Sequence, residues 1–147
     1  MMLQPSSRLY YGLQGLLDLA RQPAGTPCSS RELAARQGIP VKYLESLIGI
    51  LRHAGLIQSF RGAGGGHLLA RPPHRITLRD VFAALEGTAA NESGTESACF
   101  PVERCVTRSA WAHIVSRALV EMERVTIADL VHECRALESG TTPDYHI

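Results

Sequence analysis

Three sets of residues in this chain carry groups able to do chemistry, and each points to a different kind. The first is Arg61-Gly62-Ala63-Gly64-Gly65-Gly66-His67, which lies between two short apolar runs, Leu56-Ile57-Gln58-Ser59-Phe60 and Leu68-Leu69-Ala70. Glycine this dense disfavours helix, by roughly 1 kcal/mol per residue relative to alanine. It permits φ > 0 and close approach of backbone to another surface. A guanidinium at the base of such a hairpin can enter a narrow DNA minor groove, where negative potential is high. The N–H groups of Gly64, Gly65 and Gly66 can approach phosphate, and His67, which closes the same turn, is a further candidate DNA contact.

The second set is Lys42, Tyr43, Glu45 and Ser46, at the start of a helix expected over residues 41–54. Lys42 and Ser46 suit phosphate or base contacts, and Glu45 can accept from a cytosine amino group. Tyr43 suits either DNA or packing against a neighbouring helix, and Glu45 could equally be a solvated charge. The third set is Cys28, Cys99, Cys105 and Cys134. None forms a CxxC pair, so neither a zinc ribbon nor a thioredoxin-type motif is supported.

These groups need elements to hold them. Leu9, Leu13, Leu16, Leu17 and Ala20 follow helical spacing after Ser6 or Ser7. After a turn-rich stretch over residues 23–27, Ser29-Ser30-Arg31-Glu32 has the spacing of a capping box. That short helix runs to Gly38, and Pro40 opens the next one, where its missing N–H does no harm. In the second helix Leu44, Leu47, Ile48 and Leu51 form the core stripe, while Lys42, Ser46, Gly49 and His53 fall on another face. A helix-turn-helix followed by a glycine hairpin is the pattern of a winged helix-turn-helix. Another capped helix is expected from Thr77, with Asp80 at N3.

A polar stretch over residues 87–97 reads as loop, and a longer helix is expected from Thr107 to Arg124. Its stripe of Trp111, Ile114, Val115, Ala118, Leu119 and Met122 suits an intrachain core or a dimer seam. Symmetric dimers are the usual way for such domains to read DNA, which favours the seam. Thr126 begins a final helix. The expected fold is therefore mainly α with a small β wing, a winged helix-turn-helix plus a long dimerisation helix. Its parts are a DNA-binding domain over residues 1–87, a loop over 88–106, helices over 107–138 and a tail over 139–147.

Charge agrees with this division. Through Arg79 ten basic residues face three acids, whereas from Asp80 onward five arginines face eleven acids, leaving a net +1. A basic front half suits a polyanion. No apolar run approaches membrane-spanning length and the N-terminus lacks a signal pattern, so a cytoplasmic protein is expected. An enzyme is disfavoured. The glycine run misses G-x-G-x-x-G because His67 takes the last position, and no P-loop, nucleophile elbow or HExxH is present.

Taken together, several segments resemble the Rrf2 family of bacterial transcriptional regulators. They include Leu16-Leu17-Asp18-Leu19-Ala20, Tyr43-Leu44-Glu45, Leu51-Arg52-His53-Ala54-Gly55-Leu56-Ile57, Arg61-Gly62-Ala63-Gly64-Gly65-Gly66, Leu69-Ala70-Arg71-Pro72-Pro73, Ala84-Leu85-Glu86-Gly87 and Thr126-Ile127-Ala128-Asp129-Leu130. The resemblance implies a homodimer on a double-stranded DNA operator, held through the helix that carries Trp111 and Met122. It also implies an iron–sulfur cluster on three cysteines between the winged domain and the long helix. Cys99 and Cys105 match two of these, and Ser93 stands six residues before Cys99 where the third is missing. Such clusters generally use four ligands, mostly thiolates. Three readings stay open for the pair: a cluster completed by non-thiolate ligands, a thiol switch, or two inert cysteines. Cys28 and Cys134 match no family ligand and read as structural.

Overall fold

Residues 5–87 and 101–140 are described by a computed structural model of the chain. Four of its helices start on a hydroxyl that accepts from the N–H three residues on, satisfying a donor the first turn leaves free. These caps are Ser6 for α1 (Ser7–Arg21), Ser29 for α2 (Ser30–Gln37), Thr77 for α4 (Leu78–Glu86) and Thr126 for α6 (Ile127–Glu138). In the last three, Glu32, Asp80 and Asp129 return the bond to the cap's own N–H, completing capping boxes. The other two helices, α3 (Val41–His53) and α5 (Val102–Arg124), begin directly after Pro40 and Pro101. Gly38 ends α2 at φ 65°, which turns the chain into α3.

Between α3 and α4 lies the one sheet of the described residues, β1 (Ile57–Phe60) antiparallel to β2 (Gly66–Leu69), with Phe60 opposite Gly66 and Ile57 opposite Leu69. A 3-10 turn at Pro73–Arg75 leads to α4. The core joins Leu16 and Leu19 of α1, Leu33 of α2, Leu44, Leu47, Ile48 and Leu51 of α3, Ile57 of β1, Ile76, Val81 and Leu85, and Ile127 and Val131 of α6. Burying each such side chain contributes about 1.5–3 kcal/mol. The stripe expected on α3 is thus the buried one.

Two features of the C-terminal part differ from expectation. The long helix starts at Val102, five residues before Thr107, so Cys105 lies in its first turns and not in a loop. Pro101 is its N-cap residue with its φ fixed at −73°, and Glu103 stands in the first turn, where the helix dipole favours a negative charge. The apolar stripe from Trp111 onward does not include this stretch, so periodicity gave no signal there. The last helix also returns to the front of the chain. The N–H of Ile127 donates to the Ile76 carbonyl and that of Leu78 to Val125, both at 2.9 Å, so the start of α6 is pinned beside the start of α4. Ile127 is fully buried, and Arg21 of α1 pairs with Glu138 near the end of α6. Between these anchors α5 has no buried residue. Val115, Leu119 and Met122 are half-buried, whereas Trp111 is 61% exposed and Ile114 57%. No helix among the described residues is long and apolar enough to cross a membrane.

Candidate nucleic-acid interface

The first two turns of α3 and the tip of the β1–β2 hairpin carry the candidate contacts. On α3, Lys42, Glu45 and Ser46 are exposed, because the core stripe occupies the opposite side of the helix. Ser46 Oγ donates to the Tyr43 carbonyl at 2.6 Å, so its hydroxyl is already held against its own helix. Ser46, Gly49, Ile50 and His53 line a shallow groove closed by Ala84 of α4. Tyr43 differs from its neighbours. It is half-buried, packed on the core, and its ring meets the Tyr11 ring edge-on at 5.9 Å between centroids. The helix-packing alternative for Tyr43 is therefore the one its surroundings match.

At the hairpin, Arg61 is exposed at the end of β1. The glycines divide by role. Gly65 lies over the turn itself, where an added Cβ would fall 2.4 Å from the Phe60 carbonyl oxygen. Gly66, at φ 149°, lies against the strand-like segment at Cys28, whose backbone atoms would be 2.7–2.9 Å from a Cβ. Only Gly64 of the three would have open space around an added Cβ, while its φ of 78° demands the left-handed region. Two of the glycines thus serve internal close approaches, and Gly64 is the exposed one of the three.

His67 is half-buried, with Nε2 2.8 Å from Ser30 Oγ and Nδ1 2.7 Å from Ser59 Oγ. Burial, and after it Arg52, pushes its pKa below the ordinary 6.5, against an opposing pull from Glu45. Glu45 and Arg52 stand seven residues apart on one face of α3, so that face looks toward the hairpin. Arg52 and Ser30 were not singled out by sequence reasoning. The seven-residue step from Glu45 was a signal for Arg52. Nothing local marked Ser30, since Ser29 accounted for the cap.

Electrostatics sharpen which cations are available. Arg36 is bound to Asp18, Arg21 to Glu138, Arg79 to Glu123, and Arg71 lies 3.8 Å from Asp80. Among the described residues no carboxylate pairs with Lys42, Arg52 or Arg61. These three are among the cations that no described carboxylate offsets, and they place unneutralised positive charge on α3 and at the hairpin, as a phosphate backbone requires. Among the described residues no three His, Cys, Asp or Glu side chains gather as a metal-binding group. Cys105 is not a free thiol, and Cys99 and Ser93 lie outside the described residues. The described residues thus do not by themselves fit a cluster.

Comparison with known proteins gives a consistent result. The profile of the Rrf2 family, described as an iron-dependent transcriptional regulator, matches residues 5–133. Protein rrf2 of Nitratidesulfovibrio vulgaris is 40% identical over 130 residues, 87% of each chain. The solved structure of IscR from T. potens superposes with a TM-score of 0.74 at 34% identity, covering 97% of this chain and 95% of that one. That of CymR, the global cysteine regulator of B. subtilis, gives 0.71 at 31% identity, covering 89% and 98%.

Proposed function

The chain belongs to the Rrf2 family of transcriptional regulators, and on that premise we propose how it grips DNA and what it answers to. It is a DNA-binding regulator and not an enzyme. In the proposed complex α3 enters the major groove and offers Lys42, Glu45 and Ser46 to phosphates and base edges. Arg61 enters the adjacent minor groove, with the exposed Gly64 bringing its backbone N–H near phosphate. The Gly65 N–H is bonded to the Gly62 carbonyl and Gly66 is packed on Cys28, so these two shape the turn and do not meet DNA. Tyr43 supports α3 from behind through Tyr11. The observation that carries this reading is the pairing of an exposed, carboxylate-free Arg61 with the exposed start of α3. The protein is expected to work in the cytoplasm as a homodimer through α5, whose Trp111 and Ile114 are exposed.

The proposed signal is a redox, iron–sulfur or sulfur one, received at Cys99 and Cys105. Cys105 lies in the first turns of α5, so in this proposal a local change there alters the spacing of the two recognition helices, which favours one operator geometry over another. The cluster-free alternative, a thiol switch or another effector, is supported by the two cysteines present where three are usual and by the engaged state of Cys105.

The experiment is fluorescence anisotropy of the protein on DNA from its own upstream region, at several salt concentrations. Binding with a steep salt dependence is expected; the absence of any specific shift sinks the proposal. The absorption spectrum of protein purified without oxygen separates the two sensing readings. A brown, air-bleaching protein supports the cluster, and a colourless one supports the cluster-free alternative, a thiol switch or inert cysteines with another effector.

A further inference from the structure

His67 of the hairpin reaches the segment that opens the helix-turn-helix by two routes, backbone and ring. The His67 backbone pairs with Cys28, its N–H donating to the Cys28 carbonyl at 2.8 Å and its carbonyl accepting from Cys28 N–H at 3.1 Å. Its ring reaches Ser30, the first residue of α2, through Nε2, and Ser59 of β1 through Nδ1. Both nitrogens of the imidazole are therefore engaged within the chain, and neither is left for a phosphate or a base edge. The two serines belong to different elements, so the ring ties the hairpin to α2 as well as to its own partner strand. We infer that His67 is a positioning residue: it clamps the wing against the start of α2 and so sets where Arg61 stands relative to α3. This rests on the DNA-binding reading proposed above.

The clamp has a preferred charge state. A neutral imidazole donates from one nitrogen and accepts at the other, and each serine hydroxyl can take the complementary part. A charged one must sit half-buried, with Arg52 of α3 opposing it and Glu45 of α3 only partly compensating. The thiol of Cys28, on the third element packed there, is turned to Arg36. Protonation therefore works against the clamp as pH falls through the ring's lowered pKa.

The test compares wild type with His67→Ala and His67→Gln, whose amide can still reach Ser30. In DNA-free protein, amide exchange at Cys28 and His67 should accelerate in His67→Ala and be largely restored in His67→Gln. Operator affinity should fall roughly tenfold in the alanine variant, the scale of two lost hydrogen bonds, and recover in the glutamine variant. Between pH 7.5 and 5.5 the wild type should lose affinity relative to His67→Gln, whose side chain does not titrate. Tighter wild-type binding at the lower pH indicates a charged His67 on phosphate and overturns the inference. Unchanged amide exchange in His67→Ala overturns it too. The exchange arm uses no DNA, so it decides the clamp even if operator binding fails and the functional reading falls with it.

Discussion

Cys28 and His67, 39 residues apart in the chain, exchange both backbone hydrogen bonds, at 3.1 and 2.8 Å. This bridge joins the second strand of the wing to the segment that leads into α2, so the wing is not a free hairpin. An isolated two-stranded hairpin is marginally stable in water, and the third strand-like partner supplies what two strands lack.

Gly66 makes that approach possible. A Cβ there would meet the Cys28 backbone at 2.7–2.9 Å, and backbone cannot swing aside as a side chain can. Gly66→Ala is expected to destabilise the protein by about 1–3 kcal/mol, the range for strain at a special backbone position. Gly64→Ala meets nothing within 4 Å and carries only the left-handed backbone cost, about 1–2 kcal/mol. Urea unfolding of both variants checks the order. A Gly66→Ala variant no less stable than Gly64→Ala would contradict the bridge.

Asp18 ties α1 to α2 from inside the domain. Its side chain is 5% exposed and accepts from Arg36, Gln37 and Gln22. Burial alone pushes its pKa up, but the hydrogen bonds from Arg36 and Gln37, with the Arg36 charge, outweigh this and hold it below 3.8. A depressed carboxyl contributes stability that is complete above the unfolded value and is lost as pH falls through the folded one. Asp18→Asn should therefore cost about 1.5–3 kcal/mol at neutral pH, the scale of hydrogen bonds to a charged group. Wild type and variant should converge in stability below about pH 4. Urea unfolding at pH 7 and pH 3 tests this, and a gap that persists undiminished in acid would assign the effect to shape, not charge.

Much of the fold could be read from local chemistry because the signals are local. Ser29 with Glu32 and Thr77 with Asp80 bond three residues apart, so their spacing alone announces a helix start. The α3 stripe of Leu44, Leu47, Ile48 and Leu51 is likewise a matter of period. What stayed hidden depends on distant partners. Dense glycine marked a tight turn, but nothing near Gly66 indicated that Cys28 would lie against it. Tyr43 suited DNA or a helix equally until Tyr11 was placed beside it. Ile127 and Val131 resembled any short amphipathic helix, and only their burial ties α6 to the front of the chain.

The exposed face of α5 leads to a prediction about assembly. Trp111 and Ile114 leave large apolar surfaces in water, which a second copy of the chain is proposed to cover. Trp111→Glu should place a charge in that seam and shift the protein toward monomer in sedimentation equilibrium at micromolar concentration. Affinity for an operator with two half-sites should drop by about a hundredfold or more, because linked binding is lost. Affinity for a single half-site should change little. A variant that stays dimeric would place the interface elsewhere.

Arg61 and Lys42 are both exposed cations, yet the proposed grip gives them different work. Lys42, at the start of α3, suits phosphate, so Lys42→Ala should weaken binding about equally on every sequence and lower the salt slope by about 1. Arg61, on the wing, is proposed to enter the minor groove, whose width and potential depend on sequence. Arg61→Ala should cost about 1–3 kcal/mol on the preferred operator and less on one whose wing-facing steps are changed from A·T to G·C. Anisotropy titrations of each variant on the two DNAs distinguish the roles. If Arg61→Ala weakens both DNAs equally, Arg61 is a second phosphate contact, and the wing positions the domain without reading sequence.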